Sequence, residues 1–217
     1  MTDTFTQGLS TQGLSAYTHA RTDGARDYKG GAAPLALTFH GTGGDERQFH
    51  TLAGELLPGA HVISPLGDVR EGPHARFFRR TGEGVYDMAD LARATGKMAG
   101  FIEAARAETG ASLTVALGYS NGANIIASVA FQRPDLFDDL VLMHPLIPFA
   151  PAPQPGLAGK RVLITAGRRD PIGPAIQTEA LQLWFEKQDA NVTVAWHEGG
   201  HDLRQTEIEA VQAFLSR

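Results

Sequence analysis

The residues best suited to chemistry in this sequence are a serine and the two glycines around it. Residues 118–122 read Gly-Tyr-Ser-Asn-Gly and fit the pattern G-x-S-x-G. They directly follow the strand-like segment 113–118 and directly precede the apolar, helix-like segment 123–131. A sharp strand-to-helix turn of this kind exposes the serine hydroxyl and leaves no room for side chains at the two glycine positions. The pattern predicts that Ser120 is a nucleophile. The alternative is an ordinary turn in which Ser120 only caps the helix.

A nucleophilic serine needs a general base and an acid that orients the base. Asp170 follows the strand-like segment 162–166, and His201 follows the strand-like segment 192–196. In α/β-hydrolases the acid and then the histidine come after the serine along the chain. We therefore expect Ser120, Asp170 and His201 to form a catalytic triad that transfers an acyl group to water. The alternative for His201 is a structural histidine in a loop.

A glycine-rich loop offers donors for a developing negative charge. Residues 40–44 read His-Gly-Thr-Gly-Gly and continue the strand-like segment 34–40. We expect the backbone N–H groups of Thr42 and of Asn121, the residue after the serine, to form an oxyanion hole. Such loops also bind phosphates, but this one lacks the Lys-Ser/Thr pair of a P-loop, and Glu46 breaks the G-x-G-x-x-G spacing.

Residues 197–201 read His-Glu-Gly-Gly-His and match the zinc-protease pattern H-E-x-x-H. That chemistry requires a helix, so that both imidazoles lie on one face. The two glycines cost roughly 2 kcal/mol of helix propensity relative to alanine, and the preceding residues are typical of a strand. The sequence therefore predicts no metal site here.

Residues 76–80 read Arg-Phe-Phe-Arg-Arg and lie between a predicted strand and the next predicted helix. We expect a loop at the carboxyl end of that strand, where α/β sheets bind ligands. Exposing two phenylalanines costs hydrophobic free energy, so we assign Phe77, Phe78 and Arg79 to substrate binding. The alternative is that a phenylalanine fills the core while the arginines pair with nearby acids.

Strand and helix patterns alternate along the chain and predict one α/β domain with a mostly parallel sheet flanked by helices. Short apolar runs predict strands at residues 34–40, 60–64, 113–118, 140–143, 162–166 and 192–196. Helical spacing predicts three apolar stripes, which are Met88, Leu91, Met98, Ile102 and Ala105, then Ile176, Ala180, Leu181 and Trp184, and finally Ile208, Val211 and Leu215.

We expect a single catalytic domain at residues 32–217, preceded by an edge segment, partly flexible, at residues 1–31. That segment repeats the sequence TQGLS at residues 6–10 and 11–15 and is compatible with an edge hairpin that turns near Asp23. The proline-rich stretch 144–160 is too short for a cap domain, so the predicted site is open.

The charge and the residue composition exclude several classes of binding partner and of functional site. The net charge of −5 argues against binding to nucleic acid or to anionic membranes. The absence of cysteine excludes disulfides, thiolate metal sites and a catalytic cysteine. No apolar run is long enough for a membrane span and no secretory signal is visible, so we expect a cytoplasmic protein. Monomer and homodimer both stay open.

The segments HGTGG, RFFRR, GYSNGAN, GRRDPI and GGHDL occur in this order. Together they resemble the small carboxylesterase/phospholipase family of α/β-hydrolases over roughly residues 34–216, and RFFRR with GYSNGAN resembles its hydroquinone-linked branch. The resemblance implies an α/β-hydrolase fold, the triad and oxyanion positions given above, and a serine carboxylesterase for small to medium esters that needs no cofactor. A thioesterase or lysophospholipase with the same triad, or a non-catalytic binding module, are the alternatives.

Overall fold

The computed structural model describes residues 13–216. Within this range the strands, in chain order, are β1 (His19–Thr22), β2 (Leu35–Phe39), β3 (His61–Pro65), β4 (Val69–Glu71), β5 (His74–Arg76), β6 (Arg80–Gly82), β7 (Val85–Tyr86), β8 (Thr114–Tyr119), β9 (Asp139–Met143), β10 (Arg161–Gly167) and β11 (Asn191–His197). The α-helices are α1 (His50–Leu56), α2 (Met88–Thr109), α3 (Asn121–Ala130), α4 (Ala175–Glu186) and α5 (Gln205–Leu215). Short 3₁₀ turns lie at Gly13–Ala16, Pro134–Leu136 and Pro155–Leu157.

Seven strands form the central sheet in the order β1-β3-β2-β8-β9-β10-β11. Every neighbouring pair is parallel except β1 and β3, which are antiparallel. The predicted α/β fold with a mostly parallel sheet is confirmed. Since parallel neighbours end at the same edge of a sheet, the loops after β2, β8, β9, β10 and β11 meet on one side of the molecule.

Alternating side chains along the strands point to two separate cores, one on each face of the sheet. On β8, Ala116 packs into the core that includes α2 and α3, whereas Val115 and Leu117 pack into the core that includes Val211 and Leu215 of α5. Both faces are therefore covered by helices, as an apolar, doubly buried strand requires.

Two of the predicted apolar stripes include residues that the structure leaves exposed to solvent. Met88 is half exposed at the start of α2, although the rest of its stripe is buried. On α4, Ile176 and Ala180 face solvent, whereas Leu181 is buried as predicted, together with Thr178 and Phe185. A short amphipathic helix offers too few apolar positions to locate its buried face from spacing alone.

The predicted edge hairpin near Asp23 is wrong, because β1 pairs with β3, which is far along the chain, and not with the residues just after Asp23. β1 is nevertheless an edge strand of the main sheet. The first copy of the TQGLS repeat and the start of the second lie outside the described residues. The partial flexibility expected of residues 1–31 stays a prediction. The domain boundary between residues 31 and 32 stays a prediction.

No cap domain separates the sheet edge from solvent in the described part of the chain. Residues 144–160 form a loop whose regular structure there is one 3₁₀ turn, Pro155–Leu157. Residues 76–80, predicted as a loop, connect two small antiparallel ribbons, β4 with β5 and β6 with β7. Within residues 13–216 no helix is both long and apolar enough to cross a membrane. The cytoplasmic location stays a prediction.

Candidate active site

Ser120 occupies a strained turn between β8 and α3. Its backbone has φ 52° and ψ −114°, a conformation that a residue with a side chain rarely adopts. Gly118 and Gly122 are required because a side chain at either position would collide with its surroundings. Their own φ angles do not call for glycine. A Cβ on Gly118 would lie 2.6 Å from the carbonyl carbon of Gly122, and a Cβ on Gly122 would lie 2.3 Å from Phe39 O. The local sequence therefore dictates the turn that exposes the Ser120 hydroxyl.

The three residues predicted as a triad lie in hydrogen-bonding distance of one another. His201 Nε2 is 2.9 Å from Ser120 Oγ, and His201 Nδ1 is 2.7 Å from Asp170 Oδ2. Asp170 follows β10 and His201 follows β11, so the parallel register of these strands carries both side chains to the end of β8. With Nδ1 donating to the carboxylate, Nε2 is free to accept a proton from the serine.

The Asp170 carboxylate is buried, and both of its oxygens have hydrogen-bond partners. Its Oδ1 accepts hydrogen bonds from the backbone N–H groups of Ile172 at 2.8 Å and Gly173 at 2.9 Å, and its Oδ2 contacts both His201 and His144. Burial alone would raise the pKa of Asp170, but these hydrogen bonds outweigh it and the pKa is lowered. Asp170 is therefore held ionised in one orientation.

Thr42 and Asn121 lie on the same cavity as Ser120 and His201. Asn121 is the first residue of α3, where a backbone N–H has no helical acceptor. Its side chain is buried and accepts a hydrogen bond through Oδ1 from the Phe77 N–H at 2.8 Å. The Thr42 hydroxyl oxygen accepts a hydrogen bond from Arg76 Nη1 at 2.6 Å. Both residues are thus anchored by the segment 76–80.

The structure does not place Phe77, Phe78 or Arg79 in the cavity. Phe77 and Phe78 are completely buried, where Phe77 packs on Phe39 and Phe78 packs on Tyr86. Arg79 is exposed and pairs with acidic side chains outside the cavity. We therefore withdraw the assignment of these three residues to substrate contact. The rings gain more free energy in the core than they could at an open site.

Sequence reasoning missed other residues that do face Ser120. The cavity has a volume of about 270 Å³. Its lining consists of Thr42, Arg76, Arg80, Glu83, Gly84, Tyr86, Tyr119, Ser120, Asn121, Asn124, Leu146, Ile172 and His201. Arg76 and Arg80 belong to the segment 76–80. The segment predicted to bind substrate therefore does reach the cavity, but through these two arginines and not through the residues assigned to it.

Tyr119 supports the histidine from the position next to the nucleophile. Its hydroxyl donates a hydrogen bond to the backbone oxygen of His201 at 2.8 Å, and its ring lies against the His201 ring with the centroids 5.4 Å apart. Burial raises the pKa of Tyr119 to about 12, so the hydroxyl keeps the proton that it donates. The variable position of G-x-S-x-G thereby fixes the loop that carries the base.

The motif H-E-x-x-H does not form a zinc-protease site. His197 ends β11 and His201 lies in the loop beyond it, so the two imidazoles do not project from one helical face. His197 instead accepts a hydrogen bond at Nδ1 from the Gly199 N–H at 2.9 Å. The two glycines lie in the loop after β11 and not in a helix, as their low helix propensity predicts.

Comparison with known proteins places this architecture in a family. The chain is 39% identical over 184 residues to a protein of Bacillus subtilis (strain 168) named "Putative hydrolase MhqD", an overlap of 83% of this chain and 92% of that protein. It belongs to the small carboxylesterase/phospholipase family, in the branch of MhqD. The resemblance drawn from the sequence motifs is confirmed. No family model matches the chain.

Solved structures agree with membership of this α/β-hydrolase family. A protein of unknown function from Agrobacterium tumefaciens, Atu2452, is similar with a TM-score of 0.86 and 52% identity, covering 94% of this chain and 97% of that one. A Bacillus cereus carboxylesterase is similar with a TM-score of 0.83 and 37% identity, covering 92% and 93%. The predicted α/β-hydrolase fold is therefore confirmed.

Proposed function

We propose that this protein is a carboxylesterase that hydrolyses small to medium carboxylic esters through an acyl-enzyme on Ser120. The observation that carries the proposal is the continuous line of contacts from Ser120 Oγ to His201 Nε2 and from His201 Nδ1 to Asp170 Oδ2, at the edge of an open cavity. Membership of a hydrolase family and similarity to a carboxylesterase support the same conclusion.

In the first half-reaction His201 takes the hydroxyl proton of Ser120 as the oxygen attacks the ester carbonyl. The N–H groups of Thr42 and Asn121 hold the oxyanion that forms on the carbonyl oxygen. The partial positive charge at the N-terminus of α3 adds to this stabilisation. His201 then gives the proton to the leaving alcohol, and the acyl group stays on Ser120.

In the second half-reaction water gives a proton to His201 and attacks the acyl carbon. The bond from that carbon to Ser120 Oγ then breaks, His201 returns the proton to Ser120, and the carboxylic acid leaves. Asp170 keeps the histidine in the tautomer that has its free nitrogen toward Ser120, and it stabilises the imidazolium that forms in each step. None of these steps calls for a cofactor.

The cavity favours esters with a compact acyl or alcohol group. Its lining mixes charged and polar groups, such as Arg76, Arg80 and Tyr86, with the apolar side chains of Leu146 and Ile172. A long alkyl chain would have to extend over this polar lining into solvent, which gains little hydrophobic free energy. We therefore place the preference with short and medium esters and not with long-chain lipids or lysophospholipids.

The experiment is active-site labelling combined with a substrate panel. An organophosphorus inhibitor should add one mass increment to the peptide that contains Ser120, and Ser120→Ala should fold normally, resist labelling and lose about 10⁴-fold of its esterase rate. Ser112→Ala, which changes an exposed serine outside the cavity, is the matched control and should retain full activity.

The panel compares p-nitrophenyl esters of increasing chain length with acyl-CoA thioesters. A peak at short or medium oxygen esters supports the proposal. Activity that persists in Ser120→Ala would refute the mechanism, and acyl-CoA as the best substrate would make the protein a thioesterase. A best rate on emulsified long-chain triglyceride, with activation at the lipid interface, would contradict the open site.

A further inference from the structure

A second histidine and a second carboxylate lie behind the proposed triad. His144 Nδ1 is 2.8 Å from Asp170 Oδ2, and His144 Nε2 is 3.0 Å from Glu207 Oε1. His144 immediately follows β9, whereas Glu207 lies in the first turn of α5. The contacts therefore form one line from Glu207 through His144 and Asp170 to His201 and Ser120.

The hydrogen-bond donors around Glu207 can be assigned from their partners. Thr165 Oγ1 donates to Oε1, and the Arg204 N–H donates to Oε2 at 2.7 Å. His197 accepts at Nδ1 from a backbone N–H, so its proton lies on Nε2, which is 3.2 Å from Glu207 Oε2. Glu207 thus receives donors on both oxygens and has no need of its own proton.

The same reasoning gives His144 a positive charge. Both of its ring nitrogens lie against carboxylate oxygens, which can only accept hydrogen bonds. The protonated His197 Nε2 is farther from His144 Nε2, at 3.4 Å, than from Glu207 Oε2, so we assign a proton to both nitrogens of His144. Burial alone would lower the pKa of His144, but the hydrogen bonds to Glu207 and Asp170 outweigh it and the pKa is raised. In turn, burial alone would raise the pKa of Glu207, but its hydrogen bonds to His144 and Thr165 outweigh it and the pKa is lowered.

The backbone of His144 indicates that this arrangement is imposed by its surroundings. The residue has φ 50° and is 1% exposed, and this left-handed conformation is unfavourable for a residue that carries a side chain. Its N–H donates to the Thr165 backbone oxygen at 2.8 Å, which holds the turn after β9 against β10. The strain delivers the imidazole to the space between the two carboxylates.

We propose that His144 is a positioning residue, a buried imidazolium clamped between Asp170 and Glu207 that orients the Asp170 carboxylate toward His201 and places a positive charge beside the His201 ring. The inference rests on the proposed triad. The titratable groups that face His144 are Asp170, His201, His197, Glu207 and the ring of Tyr119. The His144 and His201 ring centroids are 5.1 Å apart, so a charge on one ring opposes a charge on the other.

The first test measures the charge itself, in the unaltered protein. Proton–nitrogen NMR of protein with ¹⁵N-labelled histidines should show one ring that keeps both nitrogens protonated throughout the range from pH 5 to pH 8. The signal of this ring should be missing in His144→Gln. A neutral His144 ring at pH 7 would overturn the proposal, and so would stoichiometric zinc held by His144, His197 and Glu207, whose donor atoms lie within 4.8 Å of one another. Neither result depends on catalysis, so failure here is distinct from failure of the proposed function.

The second test is the pH profile of kcat/KM. Removing a positive charge about 5 Å from His201 should move the acidic limb of the profile in His144→Gln to higher pH by about 1 unit or more. Glu207→Gln removes the anion that holds the His144 proton and should move the limb in the same direction by a smaller amount.

Thr95→Val is the matched control for destabilisation alone. It removes a buried hydrogen bond to Ser128 between α2 and α3, and should lower stability without moving the profile. If His144→Gln and Glu207→Gln behave like Thr95→Val, with lower stability and an unshifted limb, His144 is structural and the proposal fails. If His144→Gln does not fold, Glu207→Gln and the NMR spectrum of the unaltered protein decide the question.

Discussion

Arg76 Nη1 donates a hydrogen bond to Thr42 Oγ1 across 2.6 Å, and Arg76 Nε donates to the backbone oxygen of Phe78. The guanidinium is 4% exposed on the cavity wall. It therefore joins the segment 76–80 to the loop that supplies one of the proposed oxyanion donors. Arg76, which the sequence analysis passed over in favour of its neighbours, holds this loop in place.

Replacing Arg76 should damage catalysis more than binding. Arg76→Met keeps an unbranched apolar stem and removes the donor, so we expect kcat to fall about 10-fold or more, since losing a whole oxyanion donor costs about 10²–10³. Thr42→Val removes the acceptor of the same hydrogen bond. The double variant should lose little more than the worse single variant, as measured by steady-state kinetics in a double-mutant cycle. Fully additive losses would show that the two residues act independently.

Phe77→Ala should lower stability and leave substrate preference unchanged. Truncating a fully buried phenylalanine costs about 3–5 kcal/mol, which urea denaturation will measure. Arg79→Ala is the matched variant in the same segment and should change stability by less than about 1 kcal/mol, since the Arg79 side chain is exposed and the buried Asp90 that it contacts keeps its ion pair with Arg93. A changed ranking among aryl and alkyl esters in either variant would restore the assignment of this segment to substrate contact.

The stability of the protein should pass through a maximum at mildly acidic pH. The lowered pKa values of Asp170 and Glu207 mean that their contribution is present above roughly pH 4.5 and is lost as the pH falls through their values in the folded state. The raised pKa of His144 means that its contribution is full below roughly pH 6.5 and is lost as the pH rises through its value in the folded state.

Urea denaturation of the unaltered protein and of His144→Gln from pH 3 to pH 9 checks this sign. The unaltered protein should lose free energy of unfolding above about pH 6.5, and the variant should lose less over the same range. Parallel curves for the two proteins above that pH would contradict a charged His144.

Alanine at Gly122 should abolish folding, whereas alanine at Gly96 should not. The Cβ of Gly122→Ala would meet the backbone of β2 at 2.3 Å, where nothing can move without breaking the sheet. Gly96 lies inside α2 and a Cβ there would meet nothing within 4 Å, so Gly96→Ala should gain roughly 0.5–1 kcal/mol. Soluble, active Gly122→Ala would show that the turn around Ser120 is less constrained than the contacts imply.

The sequence alone was sufficient for the features that depend on local patterns and on chain order. The glycines of the turn at Ser120, the strands that end before Asp170 and His201, and the alternation of strands and helices each predict structure without knowledge of distant contacts. A parallel sheet then brings the loops together whatever the details of packing, because the strands end at the same edge. The positions of Ser120, Asp170 and His201 follow from those features.

Only the tertiary structure decided which side chains face the core and which face the cavity. Phe77 and Phe78 could equally have filled a pocket or a core, because hydrophobicity does not say which apolar surface a ring will meet. Arg76 turned inward because Thr42 and the Phe78 carbonyl offer it partners. His144 and Glu207 carry no motif, and their contact joins the end of β9 to α5 only once the sheet and its covering helices have formed.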